Sequence, residues 1–206
     1  PITDKISEDH PRDPINPYGR TKLTVENFLE HICETHGLNA TCLRYFNAAG
    51  AHHSGTLGEA HEPETHLIPN ILNRGNYPSE NLKVYGDDYD TPDGTCIRDY
   101  VHVEDLAQAH LKALEFMQVN KGFYTFNLGN GNGFSVLEVI KACEHVLGRR
   151  VDYQFSDRRE GDPPVLIADS AKAIDQLGWS PQHTSLESII MSAYFWHLNK
   201  SEFSLQ

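Results

Sequence analysis

Apolar residues at Leu23, Phe28, Leu29 and Ile32 fall on one stripe of a 3.6-residue period and predict an α-helix. Its start is marked by Asn16, whose side chain can cap the first free amides, and by Pro17, where a helix can spare an N–H. Gly37 after His36 supplies the stop. The run T-C-L-R-Y-F, Thr41 to Phe46, is apolar enough for a buried strand entering a loop at Asn47. A polar stretch rich in Gly, His and Glu follows from Ala51 to Thr65, then a short helix around Ile68 to Asn73. N-L-K-V-Y-G reads as a short strand, and D-D-Y-D-T-P-D-G-T-C-I-R-D-Y-V-H-V as a loop leading into another.

In E-D-L-A-Q-A-H-L-K-A-L-E-F-M-Q the pattern predicts an amphipathic helix with Leu106, Ala109, Leu111 and Leu114 inward. The segment from Gly122 to Gly148 reads as strand, glycine turn and helix, with Ser135 as N-cap. One more strand, V-D-Y-Q-F-S-D, and two helices, S-A-K-A-I-D-Q-L-G-W and T-S-L-E-S-I-I-M-S-A-Y-F-W-H-L-N, complete the pattern. Strands alternating with helices indicate an α/β chain with a mostly parallel sheet. A strand as apolar as Thr41–Phe46 expects strand neighbours, and few are on offer, so the chain reads as the later part of a larger sheet.

The composition, with 39% hydrophobic and 10% aromatic residues among 206, is ordinary for a soluble globular protein. No apolar stretch is long enough to span a bilayer. A net charge of −12 argues against nucleic acid or an anionic membrane as partner, so an anionic ligand would rest on a few well-placed arginines. Cys33, Cys42, Cys96 and Cys143 form no C-x-x-C pair, and a reduced, cytoplasmic setting follows.

Four candidate constellations stand out. Tyr18 and Lys22 are four apart on the first helix, so a phenol and an ammonium can share one site. A lysine charge beside a phenol favours the phenolate, which suits a general base. With nine tyrosines in the chain, the spacing alone does not separate chemistry from a surface pair. Gly129–Gly133 is spaced G-x-G-x-G rather than G-x-G-x-x-G, and reads as a tight turn instead of a dinucleotide loop. His52, His53, His61 and His66 with Glu59, Glu62 and Glu64 match no zinc spacing, and read as a solvated loop over a ligand with no metal. Arg98 and Arg159 are candidates for a pyrophosphate clamp, against ordinary pairing with Asp99 or Asp162.

The segments N-P-Y-G-R-T-K, L-R-Y-F-N-A-A-G-A-H-H-S-G-T-L-G-E, L-I-P-N-I-L, D-G-T-C-I-R-D-Y-V-H-V-E-D-L-A-Q-A-H, Y-T-F-N-L-G-N-G and R-R-E-G-D-P-P occur in the order of the UDP-glucose 4-epimerases. The chain resembles that branch of the extended short-chain dehydrogenase/reductases from about Pro14 to Asn199. The resemblance implies the C-terminal part of a Rossmann-like parallel sheet plus a smaller α/β substrate domain. Residues 1–50, with a return near 100–118, would end the NAD-binding domain, and 51–206 would mainly bind the UDP-sugar. It further implies that UDP-glucose and UDP-galactose are interconverted at C4 through a 4-keto sugar and bound NAD, and that the complete enzyme is a homodimer paired through the first helix.

Carried onto this chain, the resemblance makes Tyr18 the acid/base, while Lys22 supports it and holds the nicotinamide ribose. Tyr45 would lie near the nicotinamide. Phe46, Asn47, His66 and the Leu67 amide would contact sugar and phosphates, with His66 standing where many relatives carry Asn. Lys83 and Tyr85 would flank the uracil, Arg98 and Arg159 the phosphates, and Asp162 the uridine ribose, with Tyr100 beside them. Leu166 would bound the sugar pocket, leaving some room beside the 2-position. The glycine-rich dinucleotide loop and the Ser/Thr partner of the tyrosine are missing from these residues, so this chain alone is expected to be inactive. A UDP-binding remnant without catalysis, or a related sugar-nucleotide dehydratase or decarboxylase, are the alternatives.

Overall fold

The structure is a computed structural model that describes residues 1–73 and 82–203. In chain order it runs α1 (Pro17–His36), β1 (Ala40–Tyr45), β2 (Asn47–Ala49), α2 (Leu67–Asn73), β3 (Leu82–Tyr85), β4 (Ile97–His102) and α3 (Val103–Val119). Then follow β5 (Phe123–Leu128), β6 (Gly133–Ser135), α4 (Val136–Leu147), β7 (Tyr153–Ser156), β8 (Val165–Leu166), α5 (Ala171–Leu177) and α6 (Leu186–Phe203). The α/β alternation is as expected. The short strands β2, β6 and β8 are additions to the expected set, and Asn81 of the expected third strand lies outside the described residues.

Strand pairing is parallel except at one place. β1 pairs β5 from Ala40↔Phe123 to Tyr45↔Leu128, and β3 pairs β7 from Leu82↔Tyr153 to Tyr85↔Ser156. β4 is the hub, parallel to β2 and β8 and antiparallel to β6. Two cores result. One gathers Val101, Leu106, Ala109, Phe126, Leu128, Ala173, Leu177 and Trp179 around β5, α3 and α5. The other joins α2, β3, α4 and α6 through Ile68, Ile71, Val84, Val139, Ile140, Ile189 and Ile190.

Helix termini obey local chemistry. Asn16 Oδ1 accepts from the Gly19 amide at 2.8 Å, and Gly37 ends α1 at φ 69°, where a β-carbon would be strained. Ser135 opens α4 in a reciprocal capping box with Glu138. Two helix faces depart from expectation. In α3, Leu111 and Leu114 are exposed, and the buried stripe is Asp105, Leu106, Ala109 and Ala113, whose small members let the helix approach β1 and β4 closely. In α1, Phe28 is exposed and Cys33 is the buried residue.

What turns α1 toward β1 is an ion pair. Arg44 of β1 donates to Glu26 from Nε at 2.7 Å and Nη2 at 2.6 Å, and Arg12 adds a contact at 3.0 Å. Burial alone would raise the Glu26 carboxyl; the hydrogen bonds and charges of Arg44 and then Arg12 outweigh it and hold the group below its ordinary range. A depressed carboxyl stabilises the fold above its unfolded value and loses that contribution as pH falls through the folded one. Glu26→Gln should therefore cost about 1.5–3 kcal/mol at neutral pH. The gap to the parent in urea unfolding should close as pH drops below the ordinary carboxyl value of 4.5. Superimposable unfolding curves at pH 7 would show that the pair does not anchor α1.

Candidate active site

β1 ends at Tyr45, β4 carries Arg98 and Tyr100 on alternate positions, and α1 starts at the same end. Together they border a cavity of about 810 Å³. Tyr18, Tyr45, Phe46, Asn47, His66, Leu67, Lys83, Tyr85, Arg98, Tyr100, Arg159 and Asp162 all line it. Lys22 is not on the lining, but its Nζ stands 5.1 Å from the Tyr18 ring centre, as helical spacing requires. Leu166 is not on it either. It sits half-buried in β8, in register with Arg98.

The polar groups differ in how free they are. Tyr18 is 72% exposed. Tyr100 is buried, which pushes its phenol well above the ordinary range. Arg98 is nearly buried and committed. Nη1 donates to the Ile97 carbonyl at 2.7 Å, and Nη2 donates to Pro163 O at 2.9 Å and to the Asp162 carboxylate. Of its five N–H groups, Nε–H and one hydrogen of Nη1 remain for a ligand. Arg159 is exposed, with its guanidinium 4.0 Å from the Tyr85 ring centre, so the two present one cationic and aromatic surface. Leu67 opens α2, so its amide belongs to the first turn, where no intrahelical acceptor exists. His66 hands Nδ1 to the Glu59 carboxylate.

Glu59, Glu64, Trp196 and His197 also face the cavity. The first two belong to the polar loop, whose histidine- and glutamate-rich pattern gave a signal. The α6 residues gave none, since that helix is apolar on several sides. The loop lies on α6 by bare backbone: a β-carbon on Gly58 would meet the Trp196 ring at 2.3 Å, and one on Gly55 would meet Phe195 at 2.4 Å. Trp196 Nε1 then donates to Glu59 O at 3.0 Å.

The glycine run is occupied from within. Asp99, fully buried, accepts from the Asn130 amide at 2.8 Å, Gly131 at 3.0 Å and Ala168 at 3.1 Å. The amides that a phosphate could have used hold a carboxylate of the same chain. Burial pushes the Asp99 carboxyl up, and the three amides oppose that shift. This turn therefore supplies no pyrophosphate cradle; Tyr18, Lys22 and Tyr45 offer a phenol, an ammonium and an aromatic ring that would suit the nicotinamide end of a dinucleotide. The phenol and ammonium share a helix face, and Tyr18 and Tyr45 both line the cavity.

Mostly parallel strands alternating with helices, with a Tyr-x-x-x-Lys helix beside the cavity, describe a class of nucleotide-dependent enzymes. Residues 1–129 match the NAD dependent epimerase/dehydratase family, and the chain belongs to it. It is 49% identical over 197 residues to a UDP-glucose 4-epimerase of Halalkalibacterium halodurans, covering 96% of this chain and 59% of that relative. It is similar to the UDP-glucose 4-epimerase of Bifidobacterium longum in complex with NAD+ and UDP, with TM-score 0.91, 38% identity, and 98% and 60% of the two chains covered. A UDP-glucose 4-epimerase of Brucella ovis in complex with NAD aligns at TM-score 0.89 and 47% identity, over 94% and 60% of the chains. The chain thus spans less than two thirds of the length of the relatives it matches.

The packing of Asp99 against Gly129 is a direct test of the turn's role. A β-carbon there would meet Asp99 Oδ2 at 2.5 Å and Ala168 Cβ at 2.6 Å. Gly129→Ala should lower stability by about 1–3 kcal/mol. An unchanged thermal midpoint would mean that the turn has room and that its glycine serves something else.

Proposed function

We propose that the protein carrying this chain interconverts UDP-glucose and UDP-galactose by inversion at C4. The observation that carries the reading is the cavity itself, which an exposed phenol, an aromatic–cationic pair and a tethered arginine all line. It is supported by the family and by relatives of that activity. Residues 1–50, with a return near 100–118, are assigned to the cofactor domain, and 51–206 mainly to the UDP-sugar domain.

In this reading Tyr85 and Lys83 flank the uracil, and Arg159 meets the phosphates from the open side. Arg98 offers its two remaining N–H groups from the strand, while Asp162, already paired with it, presents its free oxygen to the uridine ribose. The Leu67 amide adds a donor, and Phe46, Asn47, His66 and Tyr100 enclose the sugar. Tyr18 Oη takes the proton of the 4-hydroxyl and returns it to the same oxygen after the 4-keto sugar has turned over. Lys22 offsets the negative charge that builds on that oxygen and reaches the nicotinamide ribose, with Tyr45 beside the ring. NAD held by Tyr18, Lys22 and Tyr45 would supply the hydride acceptor and donor for C4.

In the whole protein, Tyr18→Phe should lower turnover of UDP-galactose by at least about 100-fold, with UDP affinity kept. Arg159→Ala should weaken UDP in calorimetry about ten-fold or more, since a charged hydrogen bond contributes roughly 1.5–3 kcal/mol. Full activity in the phenylalanine variant would move the acid/base elsewhere, and unchanged UDP affinity would remove Arg159 from the ligand.

The reading extends to assembly and place. Among the described residues no helix is long and apolar enough to cross a membrane, and Cys33, Cys42, Cys96 and Cys143 are all free thiols, in keeping with a cytoplasmic enzyme. Val25 and Phe28 of α1 are 53% and 61% exposed, an apolar patch suited to pairing with a second copy. The whole protein should run as a dimer in light scattering at micromolar concentration, and Phe28→Asp should shift it toward monomer; a monomeric parent would refute the pairing.

A further inference from the structure

The loop ahead of α2 holds a histidine–carboxylate arrangement of which the proposed sugar site uses only His66. Glu59, His61, Glu64 and His66 each bring one donor atom into a single cluster, with all four atoms within 4.8 Å of one another. His61 Nδ1 lies 2.9 Å from Glu59 Oε1 and 3.9 Å from Glu64 Oε1, and His66 Nδ1 reaches the same Glu59 oxygen. The imidazoles meet edge-on at 80° with centroids 5.3 Å apart, so they do not stack and their Nδ1 atoms can converge.

We propose that these four residues form a binding site for a divalent cation of the zinc class. Two imidazole nitrogens and two carboxylate oxygens are a complete tetrahedral donor set, and imidazole selects Zn²⁺ and its neighbours over Mg²⁺ and Ca²⁺. Donors about 2.0–2.2 Å from a tetrahedral centre stand about 3.3 Å apart, which the present separations bracket. Without a cation, two imidazole N–H groups crowd onto one carboxylate oxygen; a single cation replaces both protons.

The donors are oriented from outside the cluster. The Thr65 and His66 amides both donate to Glu64 Oε1 at 2.8 Å, and Trp196 pins the Glu59 carbonyl. The carboxylate side chains are 19% and 10% exposed and the imidazoles 57%, so the anionic base is sheltered and the open side admits a hydrated ion. The pattern E-x-H-x-x-E-x-H matches none of the familiar zinc spacings because it serves a loop rather than a helix face. The proposal does not depend on the reading of the cavity as a UDP-sugar site, although Glu59, Glu64 and His66 face it.

The test is equilibrium dialysis and calorimetry of the untagged whole protein with zinc chloride. Expected is one Zn²⁺ per chain with a Kd of about 1 µM or tighter, indifferent to millimolar Mg²⁺, and a tetrahedral d–d band when Co²⁺ is substituted. His61→Ala/His66→Ala should weaken binding by at least about ten-fold, and Glu59→Gln, which keeps the backbone contact to Trp196, should do the same. Glu104→Gln, which dismantles the other histidine–carboxylate groups around His52, His53, His102 and His183, should leave it unchanged. No uptake at micromolar zinc, equal affinity in the His61/His66 or Glu59 variants, or loss confined to Glu104→Gln would each overturn the proposal.

Discussion

The arrangement depends on β4 carrying buried charge on both of its faces. Arg98 and Asp99 are adjacent, so the strand's alternation sends one side chain toward the cavity and the other into the body of the sheet. Arg98 holds the segment from Asp162 to Pro163. Asp99 holds the glycine turn at Asn130–Gly131 and the backbone at Ala168. Unpaired, either group would cost several kcal/mol inside the protein; paired, they fix where three distant pieces of chain meet. The same strand ends at His102, which caps α3 through Nδ1 at 3.1 Å and meets Ser192 of α6 at 2.9 Å. β4 is thus a polar spine, and its neighbours are positioned by hydrogen bonds as much as by apolar contact.

Around that spine the two apolar cores have different work. The core built on Phe126, Leu128 and Trp179 backs β1 and β5, and the end of β1 delivers Tyr45 and then Phe46 to the cavity. The core built on Ile71, Val84 and Ile189 seats α2 and β3, which deliver Leu67, Lys83 and Tyr85. The cavity is lined directly by residues of the second core, Ala49, Ile68, Val84 and Tyr100 among them, while the first core reaches it only through the end of β1.

Local features were legible where local chemistry decides them. Asn16, Pro17 and Gly37 bound α1 as their side chains and backbone preferences demand, and Ser135 caps α4. The stripe on α3 was misread at Leu111 and Leu114 because Ala109 and Ala113, with little apolar surface of their own, mark the face of closest approach. β2, β6 and β8 are two or three residues long, and their pairing is set by partners far along the chain. In the site, spacing brought Tyr18 and Lys22 together without separating chemistry from a surface pair, Arg98 and Arg159 stood out as arginines in an acidic chain, and the other expected cavity residues came from resemblance to a family. Trp196 and His197 came from neither, since closure of the cavity by α6 is a tertiary fact. The glycine run was read correctly as a turn, but nothing in it revealed that Asp99 would fill it.

The contact of Gly55 and Gly58 with the aromatic rings of α6 has an evolutionary side. A side chain can appear at position 58 only if the indole at 196 has first given way, and likewise for 55 with the ring at 195. Each pair should therefore change together across relatives: where α6 carries a small residue the loop is free to carry a large one, and where it keeps Phe195 and Trp196 the loop keeps its glycines. Among such proteins, the shape of the loop facing the ligand would be inherited through a helix more than a hundred residues away in sequence.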